Sequence, residues 1–376
     1  MIEYKKRTLA NGLTIVVNRD KASKLAAVNI LYKVGARNEN PARTGFAHLF
    51  EHLMFRGTRE IPNFDLPVQM ACGDNNAFTN NDYTDFYITL PKDNIETALW
   101  LESDRMEGLD ITPEKLEAEK RVVIEEFRQR YLNQPCGDQP MLLRALAYKV
   151  HPYRWATIGL TPDHIAGATL DDVQAFYRTH YHPSNAILSI SADFDEERML
   201  DLAEKWFAPL ADRTVASQPI PREPDQEAPR REEVERDVPA TTLSMAFHMG
   251  SRTSQDFYTA DLVSDLLSGG DSSRLYKHLV QEQRLLASVN IDPGLFVFTG
   301  QLLPGTAPEQ AEAAFRAEIE ALQSIPASDY EVEKVKNKFE ANTLFGELNV
   351  MNKAMNLGFY EMLGDLPLVN GEVAAY

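Results

Sequence analysis

The chain repeats itself at an offset of 215 residues, and that constrains its fold more than any other feature. Residues 28–34 alternate apolar side chains at 28, 30, 32 and 34, turn at Gly35 and carry Arg37 two positions on. Residues 243–249 do the same at 243, 245, 247 and 249, turn at Gly250 and carry Arg252. Period-two alternation closed by glycine reads as a half-buried strand with a tight turn. Each strand is followed by a helix-like apolar segment, near 45–56 and 258–268. The matched order of elements predicts duplication, and hence two homologous domains.

Between the copies, Pro209, Pro219, Pro221, Pro224, Pro229 and Pro239 stand among charged residues. Such a composition cannot build a core and reads as an extended linker leading into an entry strand. The expected organisation is a first domain over 1–208, a linker and entry strand over 209–240, and a homologous second domain over 241–376. The first domain opens with two strand segments expected to pair as a hairpin, 6–17 and 26–34. Helical stretches follow near 45–56, 93–107, 113–132 and 170–180, with further strands at 82–90 and 186–192. Strands and helices in mixed order with hairpin-type connections indicate α+β: mostly antiparallel sheets packed with helices. At the same offset Tyr376 corresponds to Thr161, so the second copy reads as C-terminally truncated, without counterparts of the 170–180 helix and the 186–192 strand.

Composition narrows the function. The formal net charge is −18, from 56 acidic and 38 basic residues, and such a surface repels phosphate backbones, so nucleic acid is not an expected partner. Two cysteines, Cys72 and Cys136, cannot form a disulfide framework or a cysteine zinc site, although one bridge is open to them. No window approaches the roughly 18 apolar residues of a spanning helix, and the N-terminus lacks a signal-peptide pattern. A soluble protein is expected. The compartment stays open between cytoplasm and, if a signal peptide was removed, periplasm.

The strongest local signal is His48-Leu49-Phe50-Glu51-His52. Histidines at i and i+4 share a helix face and can share a metal, and a glutamate beside the second can work on water there. Residues 45–55 are apolar apart from these three, and Gly57 follows as a C-cap signal. Polar groups on a buried helix need partners, and a cation satisfies all three. A third ligand is sought on a helix starting at Thr112-Pro113-Glu114. With Val123 at the centre of its apolar face, Glu119 and Glu126 fall at about −40° and −60°, on that face, whereas Glu125 points away.

With these residues in place the chain resembles the inverted-motif zinc peptidases, the pitrilysin/insulinase family, in its processing-peptidase-like branch. The His-x-x-Glu-His motif and a glutamate 74 residues after His52 carry the likeness. So do residues 8–13, Gly57-Thr58, Asn76-Ala77-Phe78-Thr79, Tyr181-His182-Pro183-Ser184-Asn185 and Ser272-Ser273-Arg274-Leu275-Tyr276. The resemblance implies one Zn2+ per chain held by His48, His52 and Glu126, with Glu51 as general base and Glu119 supporting the ligands or positioning water. It implies peptide substrates bound by strand addition along Asn76, Ala77, Phe78 and Thr79. It also implies that the two domains form one half of a clam-shell chamber.

Two features of the second copy bear on this, and the latter is a departure from the family pattern. At the offset of 215, His48, Glu51 and His52 become Val263, Leu266 and Leu267, so the second copy cannot bind this metal. Gln281 and Ser288 stand where the family places an arginine and a tyrosine that hold the substrate carbonyl. Arg284 or Tyr276 in a shifted register is one remedy. The favoured expectation is a heterodimer whose homologous partner supplies the Arg–Tyr pair. The competing class is a non-catalytic, zinc-retaining subunit used for peptide binding or assembly. Of the remaining histidines, 151, 164, 180 and 182 read as surface or hydrogen-bonded groups.

Overall fold

The segment Ala186–Ala192 is apolar or small throughout and is buried at every position. Such a strand belongs inside a sheet covered on both faces. In the computed structural model, which describes residues 1–213, 219–292 and 295–376, it lies there. The first sheet contains β1 (Lys5–Thr8), β2 (Thr14–Arg19), β3 (Leu25–Tyr32), β4 (Asp74–Thr79), β5 (Thr84–Pro91) and β6 (Ala186–Ala192), in the order β1-β2-β6-β3-β5-β4. All pairings are antiparallel except β2 with β6.

This corrects the expected pairing of the two opening segments. The hairpin is β1–β2, and β6 is inserted between β2 and β3. The connection at 20–24 needs to step over only one intervening strand, roughly 10 Å, which five residues span easily. The apolar β6 gains burial on both faces in exchange.

By contacts the chain forms two compact units. The first comprises Met1–Gln129, Val150–Asp225 and Gly346–Asn370; the second comprises Arg130–Lys149, Gln226–Phe345 and Gly371–Tyr376. Each is α+β. Among the described residues the second unit has a three-stranded antiparallel sheet, β7 (Thr242–Phe247), β8 (Leu286–Asp292) and β9 (Phe296–Leu302), in the order β7-β9-β8. That order repeats β3-β5-β4 of the first sheet. Its core gathers Leu267, Leu275, Leu279, Phe298 and Phe315.

Each unit takes one helix from the other half of the chain. In the first, Val350–Met362 packs on β2, β3 and β6. Gly358 comes so close that a Cβ there would stand 2.7 Å from the Ser189 hydroxyl oxygen. In the second, Gln139–Ala147 packs on β7, and Gln139 donates to Ser244 at 2.8 Å. The two helices are counterparts at the offset of 215. The expected linker has no regular element on either side of residues 214–218, which lie outside the described residues. No helix among the described residues is long and apolar enough to cross a membrane. Cys72 and Cys136 are both free, one in each unit.

Candidate metal centre and active site

The motif lies on a short helix, Phe46–Leu53. Phe46, Ala47, Leu49, Phe50 and Leu53 are buried, and Phe50 stacks on Tyr181 with ring centroids 5.0 Å apart. The anchoring side is thus taken by apolar residues, which leaves His48, Glu51 and His52 half-buried on the other. The two imidazoles meet edge to face at 4.8 Å.

The expected glutamate helix is Pro113–Phe127, started by the Thr112 hydroxyl, which accepts from the Lys115 N–H. Leu116, Val123 and Phe127 are buried along one stripe, with Glu119 beside them at 2 % exposure. Glu125 points outward, its side chain 53 % exposed and 3.6 Å from Arg128. Glu126 faces the histidine helix, 3.6 Å from His48 Nε2 and 3.5 Å from His52 Nε2. His48, His52 and Glu126 each offer a ligand atom, all within 4.8 Å of one another. The other nitrogen of His52, Nδ1, lies 3.3 Å from Glu119, which also pairs with Arg56.

Two nitrogen donors, one carboxylate oxygen and a second carboxylate on the back of one imidazole match a catalytic zinc centre with its supporting shell. The electrostatics agree. Burial alone would lower the His52 imidazole, but the carboxylates of Glu119 and Glu126 reverse this and raise its pKa to about 9. The site attracts positive charge.

The Asn76–Thr79 segment lies on β4, an edge strand, which pairs only with β5. Its other edge is unpaired within the first sheet. The histidine helix packs against this strand, so a peptide added there would run beside the donor cluster. Gln281 and Ser288 are both exposed in the second unit. Arg284 is exposed with φ +50°, and Tyr276 is half-buried. Four other histidines have ordinary surroundings. His164 bonds Thr44, His182 bonds Asp212, His151 accepts from the Tyr153 N–H, and His180 packs on Phe176.

One residue near the site escaped the sequence reading. Glu39, 6 % exposed, accepts hydrogen bonds from the N–H groups of Gly45 and Ala47 at the start of the histidine helix. A lone acid in an Asn-Glu-Asn loop carries no periodic signal to find it by.

Comparison with known proteins agrees with this geometry. The family profile described as insulinase (peptidase family M16) matches residues 14–158, and that of the peptidase M16 inactive domain matches 167–339. "Zinc protease PqqE" of Helicobacter pylori is 32% identical over 341 residues, covering 88% of this chain and 77% of that protein. The chain belongs to the insulinase family, M16. A solved structure described as a protease from Helicobacter pylori matches with TM-score 0.93 and 29% identity, over 100% of this chain and 93% of that one. In Arabidopsis thaliana, a protein described as a probable mitochondrial-processing peptidase subunit beta is 25% identical over 260 residues, 68% of this chain and 48% of its own length. Family membership and the donor cluster together make this M16 protein a zinc metalloendopeptidase.

Proposed function

We propose that His48, His52 and Glu126 hold one Zn2+ per chain and that this centre hydrolyses extended peptides bound along β4. The observation that carries the reading is the convergence of three donors from two helices, with Glu119 on the remaining nitrogen of His52. Bound zinc would supply Lewis acidity. Glu51 takes the proton from the attacking water and returns it to the leaving amine. Glu119 fixes the His52 ring and tautomer by accepting from Nδ1. Main-chain groups of Asn76, Ala77, Phe78 and Thr79 pair with the peptide backbone, which orients the scissile bond and tolerates varied side chains. Cleavage of a peptide panel that stops on chelation and returns with zinc is the expected result. A chain that binds zinc but cleaves nothing, alone or with a homologous partner, would instead be the non-catalytic subunit.

The chain works as the catalytic subunit of a heterodimer and hydrolyses its peptides in a closed chamber. Gln281 and Ser288 provide neither the charge nor the phenol that stabilises an oxyanion, and one relative carries the description of a subunit. A missing donor of this kind typically costs about 10²–10³ in rate. The assay compares the lone chain with its mixture with an Arg–Tyr-bearing homologue at equal zinc occupancy. Equal rates would end the division of labour and direct attention to Arg284 or Tyr276.

A further inference from the structure

We infer that Glu39 is a positioning residue: its carboxylate caps the histidine helix and thereby sets the placement of His48, Glu51 and His52 beside β4. This rests on the zinc-peptidase reading above.

The first amides of a helix have no partner within it and are ordinarily satisfied by a side chain at the cap position. Here the cap is Gly45, with φ +91° and no side chain to offer. No other residue fits, because a Cβ at Gly45 would stand 2.7 Å from the Ile158 carbonyl oxygen, in a left-handed conformation. The capping oxygens come instead from six residues upstream. Glu39 Oε2 accepts from Gly45 at 2.9 Å, and Oε1 accepts from Ala47, the residue before His48, at 2.8 Å.

Glu39 is itself held. Ala36 N–H donates to the Asn80 carbonyl at 3.1 Å and Arg37 N–H to that of Asn81 at 2.9 Å. Arg37 Nη1 reaches Asp82 at 2.8 Å, and Tyr153 donates to the same carboxylate at 2.6 Å. The Trp155 indole donates to the Ala36 carbonyl at 3.0 Å. Gly35 lets the two backbones approach, since a Cβ there would lie 2.5 Å from the Asn80 carbonyl oxygen. Residues 80–83 form the turn between β4 and β5. A short strap, 35–39, therefore ties the turn of the peptide strand at one end to the cap of the ligand helix at the other. Sub-ångström placement of ligands and base against substrate is what such a strap controls.

The test measures zinc affinity by chelator competition, with zinc alone as probe, in the full chain. Glu39→Gln replaces one acceptor with a donor facing an amide. Affinity should fall about 10-fold or more, as for loss of an outer-shell partner, with faster hydrogen exchange in the histidine helix. The control is Asp85→Asn, which removes another buried carboxylate of the same unit, bonded to Asn29 and not to the helix. It should leave zinc affinity unchanged at similar or greater loss of stability. Glu39→Asp, which keeps the carboxyl group but shortens its reach, replaces Glu39→Gln if that variant does not fold, and should also weaken zinc. Wild-type affinity in the Glu39 variant, or an equal loss in Asp85→Asn, overturns the inference. A wild-type chain that binds no zinc overturns the functional reading instead.

Discussion

The helix Phe46–Leu53 of the first unit and the helix Gln255–Ser268 of the second occupy the same place in the repeat. One exposes His48, Glu51 and His52 on its half-buried side; the other has Val263, Leu266 and Leu267 there. Leu266 and Leu267 are buried in the second core. The neighbouring helices differ in parallel. Glu119 and Glu126 correspond by offset to Lys334 and Ala341, on the helix Asp329–Gly346. Val263, Leu266 and Val335 line an apolar cavity of about 290 Å³ in the second unit. A buried polar cluster survives only where each group has a partner or a cation to share. Without donors on these two helices, apolar burial is the favourable filling, and among the described residues only the first copy holds a cluster of metal-ligating groups.

The sharpest test of that difference is Glu51→Gln. Turnover should drop about 10²–10⁴-fold while zinc and fold remain, since the amide cannot accept the water's proton. Near-normal turnover would mean that another group is the base. Next is the pair Glu126→Gln and Glu125→Gln. The first should lose zinc by at least the roughly 10–100-fold that an outer-shell partner costs, and the second should keep it. Equal zinc content by elemental analysis would remove Glu126 from the centre.

In the second unit the corresponding probe is Leu267→Ala, at a fully buried site. It should cost about 2–5 kcal/mol in denaturant unfolding and leave zinc stoichiometry at one. Loss of zinc in that variant would show that the two copies are not independent. The smallest effect concerns acid. Arg274 binds Glu331 through two hydrogen bonds, and with the Ser328 N–H and hydroxyl it lowers the Glu331 pKa from 4.5 to about 2. A depressed carboxylate stabilises the fold fully above its unfolded pKa and loses that contribution as pH falls through its folded value. The second unit should therefore weaken between pH 4.5 and about 2, by no more than about 1 kcal/mol for a partly exposed pair. Glu331→Gln should flatten that window, and an unchanged acid profile would assign it to other groups.

The residues of the candidate centre were legible because helices are periodic. Three donors in five positions, and two glutamates seven apart on an apolar stripe, are statements about 100° per residue, and the packing kept both faces as the pattern placed them. The repeat was equally readable, since alternation and glycine turns are local, whereas the β4 segment came only from the family resemblance. Which of Glu119 and Glu126 meets which nitrogen was not readable, because it depends on the approach of two helices about 70 residues apart in the chain.

The same limit explains the rest. Local pattern located β2, β3 and β6 but could not place β6 between the other two, since strand pairing joins residues more than 150 positions apart. Periodicity could not show that Val350–Met362 covers the first sheet while Gln139–Ala147 covers part of the second, because an apolar helix face does not specify which surface it will meet. Nor could it single out Glu39, whose purpose exists only once the chain brings its carboxylate to the amides of Gly45 and Ala47. Sequence alone determined which side chains this protein has available for chemistry and on which faces of which elements they stand. Tertiary structure decided which of them meet, because hydrogen bonds and burial between distant segments are settled by the packing of the whole unit.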